Sequence, residues 1–236
     1  MTLRKFVHTG TPVNNPPTPQ PTRSHSNNRS KPLMACIIDN DAAIRDSLSF
    51  LIESDQIAVE TFASAGEFLE NWDIERTGCL IVDIRMPGMG GLELQSELTQ
   101  RNIRVPLIFI TGYGDVQLAV QAMKRGAFDF FEKPINHQLL LDRLNIALAK
   151  ESSARREAAQ KLEFQRRLDL LTLKERQVLD HVIQGKTSVE ISGELNSAPK
   201  TVEVHRISIN AKMGCKNLAV LVRMVTSQRV IDPDGE

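Results

Sequence analysis

The chain has 236 residues, of which 41% are apolar and 25% charged, with 29 basic and 29 acidic side chains. That length leaves room for about two domains, and because no apolar run approaches the ~18–20 residues of a membrane-spanning helix, a soluble protein is expected. Cys36, Cys79 and Cys215 are an odd set without metal-ligand spacing, and the N-terminus lacks an apolar export segment, so a reducing cytoplasm is the expected location.

The net charge of zero conceals a division along the chain. Residues 1–33 carry +5, 34–150 carry −7, 151–169 carry +1 and 170–236 carry +1, the last becoming +4 without the terminal DPDGE. The acidic stretch suits a cation or a basic partner, and the C-terminal stretch permits nucleic-acid binding.

Residues 1–32 are rich in Pro, Thr, Ser and Asn and show no period. They cannot bury enough apolar surface to offset ordering entropy, which predicts a disordered tail.

From residue 33 to 150, short apolar runs (MACII, IAVETF, CLIVD, PLIFI and AFDFF) alternate with amphipathic segments. Five β-α units are expected, forming a five-stranded parallel sheet covered by helices on both faces, an α/β fold of flavodoxin-like type. Ser64 to Glu67 spells a capping box, and Asp115 is the predicted N-cap of the segment VQLAVQAMKR. Cys36 and Cys79 fall on strands expected to be neighbours, as a redox pair or as small core residues.

The stretch from His137 to about Leu171 is almost free of Gly and Pro, which predicts one long helix or two stacked ones. Residues 151–167 then form a helical linker whose sequence, ESSARREAAQ at its start, lacks a sustained coiled-coil seam. Residues 168–232 read as a small all-α domain with capping boxes at Thr172 to Glu175 and Thr187 to Glu190, a helix from about Ser188, a turn at Asn196 to Ala198, and a helix from Pro199 to Met213. That order is a helix-turn-helix.

Ligands of an open parallel sheet gather beyond the carboxyl ends of its strands. There the sequence places Asp39, Asn40 and Asp41 after strand one, Asp83 after strand three, Thr111 after strand four, and Lys133 with Pro134 after strand five. The set suits phosphoryl transfer onto a carboxylate: oxygen ligands hold Mg²⁺, a hydroxyl and an ammonium meet phosphoryl oxygens, and one Asp attacks. The PGMGG stretch at Pro87 to Gly91 lacks the Lys and Ser/Thr of a nucleotide-binding loop and reads as a turn.

Residues 34–150 resemble the receiver domain of two-component response regulators through IIDND, IVDIRMPGMGG, FITGYGD and FFEKP. The resemblance implies that Asp83 is the phosphoacceptor and that Asp39, Asp83 and the Arg85 carbonyl hold Mg²⁺. It further implies that Thr111 and Lys133 contact the phosphoryl group, that Phe130 is a switch aromatic, and that the Lys133-Pro134 bond is cis. One departure stands out: Asn40 occupies a position usually acidic, so an amide oxygen would join the metal ligands with one negative charge fewer, while Asp41 starts the following helix.

Through LTLKERQVL and KTVEVHR, residues 168–230 resemble the LuxR-type DNA-binding domain, which joined to a receiver gives the NarL/FixJ subfamily. On the third helix Val202, His205, Ile209 and Met213 share one face, expected inward, and Lys200, Val204, Ile207 and Ala211 the opposite one, flanked by Glu203 and Ser208. The second face suits a major groove, with Val204 and Ile207 against thymine methyls, Glu203 accepting from a cytosine, and Thr201, His205 and Lys212 near phosphates. Ser197 and Ala198 stand where the family carries an apolar residue and Ser, which puts the cap of this helix in question.

The resemblance therefore implies a phosphorylation-controlled, DNA-binding transcriptional regulator that is not a turnover enzyme. A sensor histidine kinase, double-stranded DNA and a second copy of the chain are its expected partners, with RNA polymerase an open further one. A regulator independent of phosphorylation, its metal site weakened by Asn40, is the alternative; an Asp-nucleophile phosphatase is a third reading.

Overall fold

The computed structural model describes residues 33–112, 116–217, 219–223 and 225. The predicted tail and the predicted cap at Asp115 lie outside the described residues.

Five strands, β1 (Met34–Ile38), β2 (Val59–Phe62), β3 (Thr77–Asp83), β4 (Leu107–Thr111) and β5 (Asp129–Glu132), form one sheet in the order β2-β1-β3-β4-β5. All four pairings are parallel. The period of two divides each strand between two cores. Cys36, Ile38, Leu80, Val82 and Phe109 face one layer with Phe68 of α2 (Ala65–Asn71), Leu94 and Leu98 of α3 (Gly91–Gln100) and Ala122 of α4 (Val116–Lys124). Ala35, Ile37, Cys79, Ile81 and Ile108 face the other, with Leu48 and Ile52 of α1 (Ala42–Ser54) and Leu140, Leu144 and Ala147 of α5 (His137–Asp169).

The same alternation decides the cysteine question. Ala35, not Cys36, is the register partner of Cys79, so the two thiols enter opposite cores and both are free. Burial pushes the Cys36 thiol up to about 11 and that of Cys79 higher still, which holds both protonated.

The capping signals act as read, with one shift. Ser64 caps α2 by accepting from Glu67 N, but the Glu67 carboxylate reaches the amide of Ala63, one residue before the cap. Asp41 accepts from Ala43 N and starts α1. Residues 87–90 form the bend between β3 and the next helix, with Gly88 at a φ of 75, and Gly91 opens that helix.

α5 is one continuous helix of 33 residues. Arg155 fastens it to the sheet by donating to the carbonyls of Glu75 (2.5 Å) and Thr77 (2.6 Å), at the start of β3. Farther on, Phe164 and Leu168 of α5 pack into a third core with Val178, Leu179 and Val182 of α6 (Leu173–Ile183), Ile191 of α7 (Ser188–Glu194) and Val202, Ile209 and Met213 of α8 (Pro199–Met213). Arg167 donates to the Met213 carbonyl at 2.9 Å and so caps α8. Gly214 follows at a φ of 66, a left-handed backbone that favours glycine, and a Cβ there would meet only the movable end of the Arg167 side chain.

Both capping boxes of the helical domain form. Thr172 exchanges bonds with Glu175, and Thr187 with Glu190. α8 has Pro199 in its first turn and Ala198 as its cap, without a side-chain cap bond, the outcome of the departure at Ser197 and Ala198.

Candidate functional site

The sheet order reverses between β1 and β3, and the ends of those strands carry Asp39 and Asp83. Both carboxylates are buried, at 2% and 7% exposure. Lys133, directly after β5, reaches between them: its Nζ lies 2.8 Å from Asp83 Oδ1 and 3.1 Å from Asp39 Oδ2. The Lys133 amide bonds the Thr111 carbonyl at 2.8 Å, and the Lys133-Pro134 peptide is cis, as expected. Thr111 is fully buried at the end of β4.

Turn amides complete the frame. Asp39 Oδ1 accepts from Asp41 N at 2.8 Å, and Asp83 Oδ2 accepts from Arg85 N at 2.9 Å. Arg45, one turn into α1, donates to the Asp39 carbonyl at 2.6 Å. Gly91 is enforced by this packing, because a Cβ would stand 2.7 Å from the Asp83 carbonyl oxygen.

Burial raises the pKa of Asp83, and the bond and charge of Lys133 offset only part of that rise. Burial alone would lower Lys133, but its bonds to Asp83 and Asp39 outweigh it and the ammonium is held charged above its ordinary range.

The donor chemistry fits Mg²⁺. Two buried carboxylates already converge on one cationic group, and Asn40 and Arg85, each one or two residues beyond them in the chain, carry further neutral oxygens. Among the described residues no group of three or more His, Cys, Asp or Glu side chains stands together as a metal site. Asn40 itself is exposed, while Asp41 spends its carboxylate on the helix cap. Phe130 on β5 is half-buried against the first core and paired in register with Phe109, two residues before Thr111 on β4.

The second site lies on α8. Val202, Ile209 and Met213 are buried as expected, and His205 is half-buried. Lys200, Thr201, Val204 and Ile207 are exposed, the two apolar side chains by 58% and 68%. Ser208 and Lys212, both half-buried, make bonds within the domain: the Ser208 hydroxyl and the Lys212 ammonium each lie 2.6 Å from the buried Glu175 carboxylate. Burial would raise the Glu175 pKa, but those two bonds and Thr172 take it down to about 2. The physical reason is direct: a buried carboxylate needs partners, and these two residues supply them. Glu203 is also engaged, by Ser188 at the start of α7, whose hydroxyl accepts from Arg206 Nη1 at 2.8 Å.

Several of these partners escaped the sequence reading. Arg45 follows Asp41 by one helical turn, a spacing that hints at a role beside the strand end. Glu175 and Lys212 are 37 positions apart, and no sequence signal joins them.

Residues 35–145 match the family model described as response regulator receiver domain, and residues 169–225 match bacterial regulatory proteins, luxR family. The chain is 45% identical over 194 residues to the transcriptional regulatory protein TdiR of Thauera aromatica, covering 80% of this chain and 83% of the relative. Identity to the transcriptional regulatory protein FixJ of Azorhizobium caulinodans is 39% over 198 residues, covering 84% of this chain and 94% of the relative. Among solved structures, the response regulator StyR superposes with a TM-score of 0.78 at 38% identity, over 84% of this chain and all of that one. No described helix is long and apolar enough to cross a membrane.

Proposed function

The chain belongs to the NarL/FixJ-type response regulators, which join a receiver domain to a LuxR-type DNA-binding domain, and we propose that Asp83 accepts a phosphoryl group from a sensor histidine kinase to control DNA binding. We assign the receiver to residues 33–150, the linker to 151–167 and the DNA-binding domain to 168–232. The observation that carries the phosphoryl-transfer reading is the bridge from Lys133 to both Asp39 and Asp83 at the switch point of the sheet.

In the proposed step an Asp83 carboxylate oxygen attacks the phosphorus of a phosphohistidine. A P–O bond forms as the P–N bond breaks, and the imidazole leaves with the electron pair. Lys133 releases the carboxylate oxygen it now holds and pairs with a phosphoryl oxygen, a second partner of the same charge. The Thr111 hydroxyl donates to another. When bound, Mg²⁺ neutralises charge on the phosphoryl oxygens, and Asp39, Asp83, the Arg85 carbonyl and the Asn40 amide oxygen are the groups that would hold it. Movement of Thr111 opens space for Phe130 to turn inward, altering the surface of α4 and β5. Two receivers then pair, and two α8 helices meet two half-sites of double-stranded DNA.

Lys200, Thr201, Val204 and Ile207 form the proposed outward face of α8, Lys200 and Thr201 on phosphates, Val204 and Ile207 on thymine methyls. Glu203 is proposed as a base reader, and His205 as a phosphate neighbour.

A second reading rests on Asn40. With two carboxylates rather than three in the site, the protein would bind DNA without phosphorylation and be regulated through abundance or a partner. Incubation with Mg²⁺ and acetyl phosphate separates the readings. Stoichiometric labelling supports the switch, no labelling supports the second reading, and multiple turnover would make the receiver a phosphatase.

A further inference from the structure

We propose that Ser188 and Arg206 are positioning residues for base readout, holding the Glu203 carboxylate so that α7 and α8 set sequence preference together. The proposal rests on the reading of α8 as the DNA-contacting helix.

Glu203 projects from the second turn of α8 and is exposed. A solvated glutamate has several accessible rotamers, and fixing one at the moment of binding costs side-chain entropy. Here the cost is met before DNA arrives. The Ser188 hydroxyl bonds Glu203 Oε1, and Arg206 Nη1 bonds the same hydroxyl oxygen at 2.8 Å. The direction of this relay is fixed by chemistry: a guanidinium only donates and an ionised carboxylate only accepts, so the hydroxyl takes the Arg206 proton and gives its own to Glu203.

The relay crosses between elements. Ser188 opens α7, whereas Glu203 and Arg206 lie on one side of α8, three residues apart. All three line a cleft of about 1000 Å³ that also contains Lys186, Ile207 and Asn210. Asn210 Oδ1 is buried there with no partner among the described residues. A carboxylate anchored through one oxygen presents a defined acceptor, which suits the N4 amine of a cytosine in the major groove. Arg206 is tied into the relay beneath Glu203, which separates its role from that of the exposed Lys200.

The test begins by selecting preferred sites for the full-length wild-type chain from a random duplex library. Base preference and salt dependence are then measured for Glu203→Ala, Ser188→Ala, Ser188→Thr and Arg206→Lys. Glu203→Ala is expected to reduce discrimination at one position per half-site by about tenfold, the loss of one good base contact. Ser188→Ala is expected to relax that same position several-fold with an unchanged salt slope, and Ser188→Thr, which keeps the hydroxyl, to restore it. Arg206→Lys, which keeps the charge but not the guanidinium, is expected to relax it partially. If Glu203→Ala relaxes a position and Ser188→Ala does not, the relay is overturned. A uniform loss of affinity in Ser188→Ala with a shallower salt slope also overturns it, making Ser188 a phosphate contact. If Glu203→Ala changes no position, the base-reading assignment itself fails, and the relay with it.

Discussion

Lys133 and Asp83, fifty positions apart in sequence, meet at 2.8 Å, and the same ammonium reaches Asp39 at 3.1 Å. The sheet creates this meeting, since β1, β3 and β5 all end on the same edge of a parallel array. A cation bridging two buried carboxylates is a charge arrangement that stores a dependence on each of its members.

Removing the bridge should expose that dependence. Lys133→Met leaves two carboxylates without their shared ammonium and is expected to destabilise the receiver by on the order of 2 kcal/mol at pH 7. The effect has a definite pH sign. Asp83 has a raised folded pKa, so its contribution to stability is full below its ordinary value of 3.8 and is lost as pH rises through the folded value. In the variant that loss is larger. Urea unfolding should therefore show the gap from wild type widening from pH 4 to pH 7, and a constant gap would mean that the lysine contributes through packing alone.

Asn40→Asp restores a third acid beside Asp39 and Asp83. Mutual repulsion should lower the melting temperature in chelator relative to wild type, and Mg²⁺ should restore it, since a ligand that binds only the folded state stabilises it. The Mg²⁺ midpoint should fall severalfold. An unchanged midpoint would place the side chain at residue 40 outside the metal site.

Glu175 governs a different window. Its folded pKa of about 2 lies below the ordinary 4.5, so its contribution to stability is present above about pH 4.5 and is lost as pH falls toward 2. Calorimetry of Glu175→Gln should show a C-terminal-domain transition lowered most above pH 5, with the difference from wild type shrinking through that window. A difference that grows with acidity would contradict the role assigned to Lys212 and Ser208.

The lysines of α8 should separate in function. Lys200→Ala is expected to lower the slope of log affinity against log salt by about 1, the signature of one lost phosphate contact. Lys212→Ala removes the one charged partner of a buried carboxylate that Ser208 and Thr172 also bond among the described residues, and should chiefly lower the melting temperature of the domain. Equal changes of slope in both variants would place Lys212 on DNA after all.

Periodicity made the framework readable. Apolar runs of strand length and the capping boxes at Thr172 and Thr187 are local signals, and local physics decides them. The acidic cluster was readable for a topological reason, because parallel strands deliver their carboxyl ends to one edge. What stayed hidden was side-chain commitment over long sequence distance. The helical wheel sets Ser208 beside the groove face and Lys212 near phosphates, yet both bond the buried Glu175, and a helical wheel carries no information about a carboxylate on another helix. Asp41 shows the reverse, its N-cap role being set by the next two residues.

The central claim is that Asp83 carries the phosphoryl group, and intact-mass measurement after incubation with acetyl phosphate and Mg²⁺ tests it most directly. Wild type is expected to gain one phosphoryl group per chain, labile to hydroxylamine as an acyl phosphate is. Asp83→Asn, which removes the nucleophile with hardly any change in volume, is expected to gain none while its circular dichroism and melting remain cooperative. Equal labelling of wild type and Asp83→Asn would contradict the account.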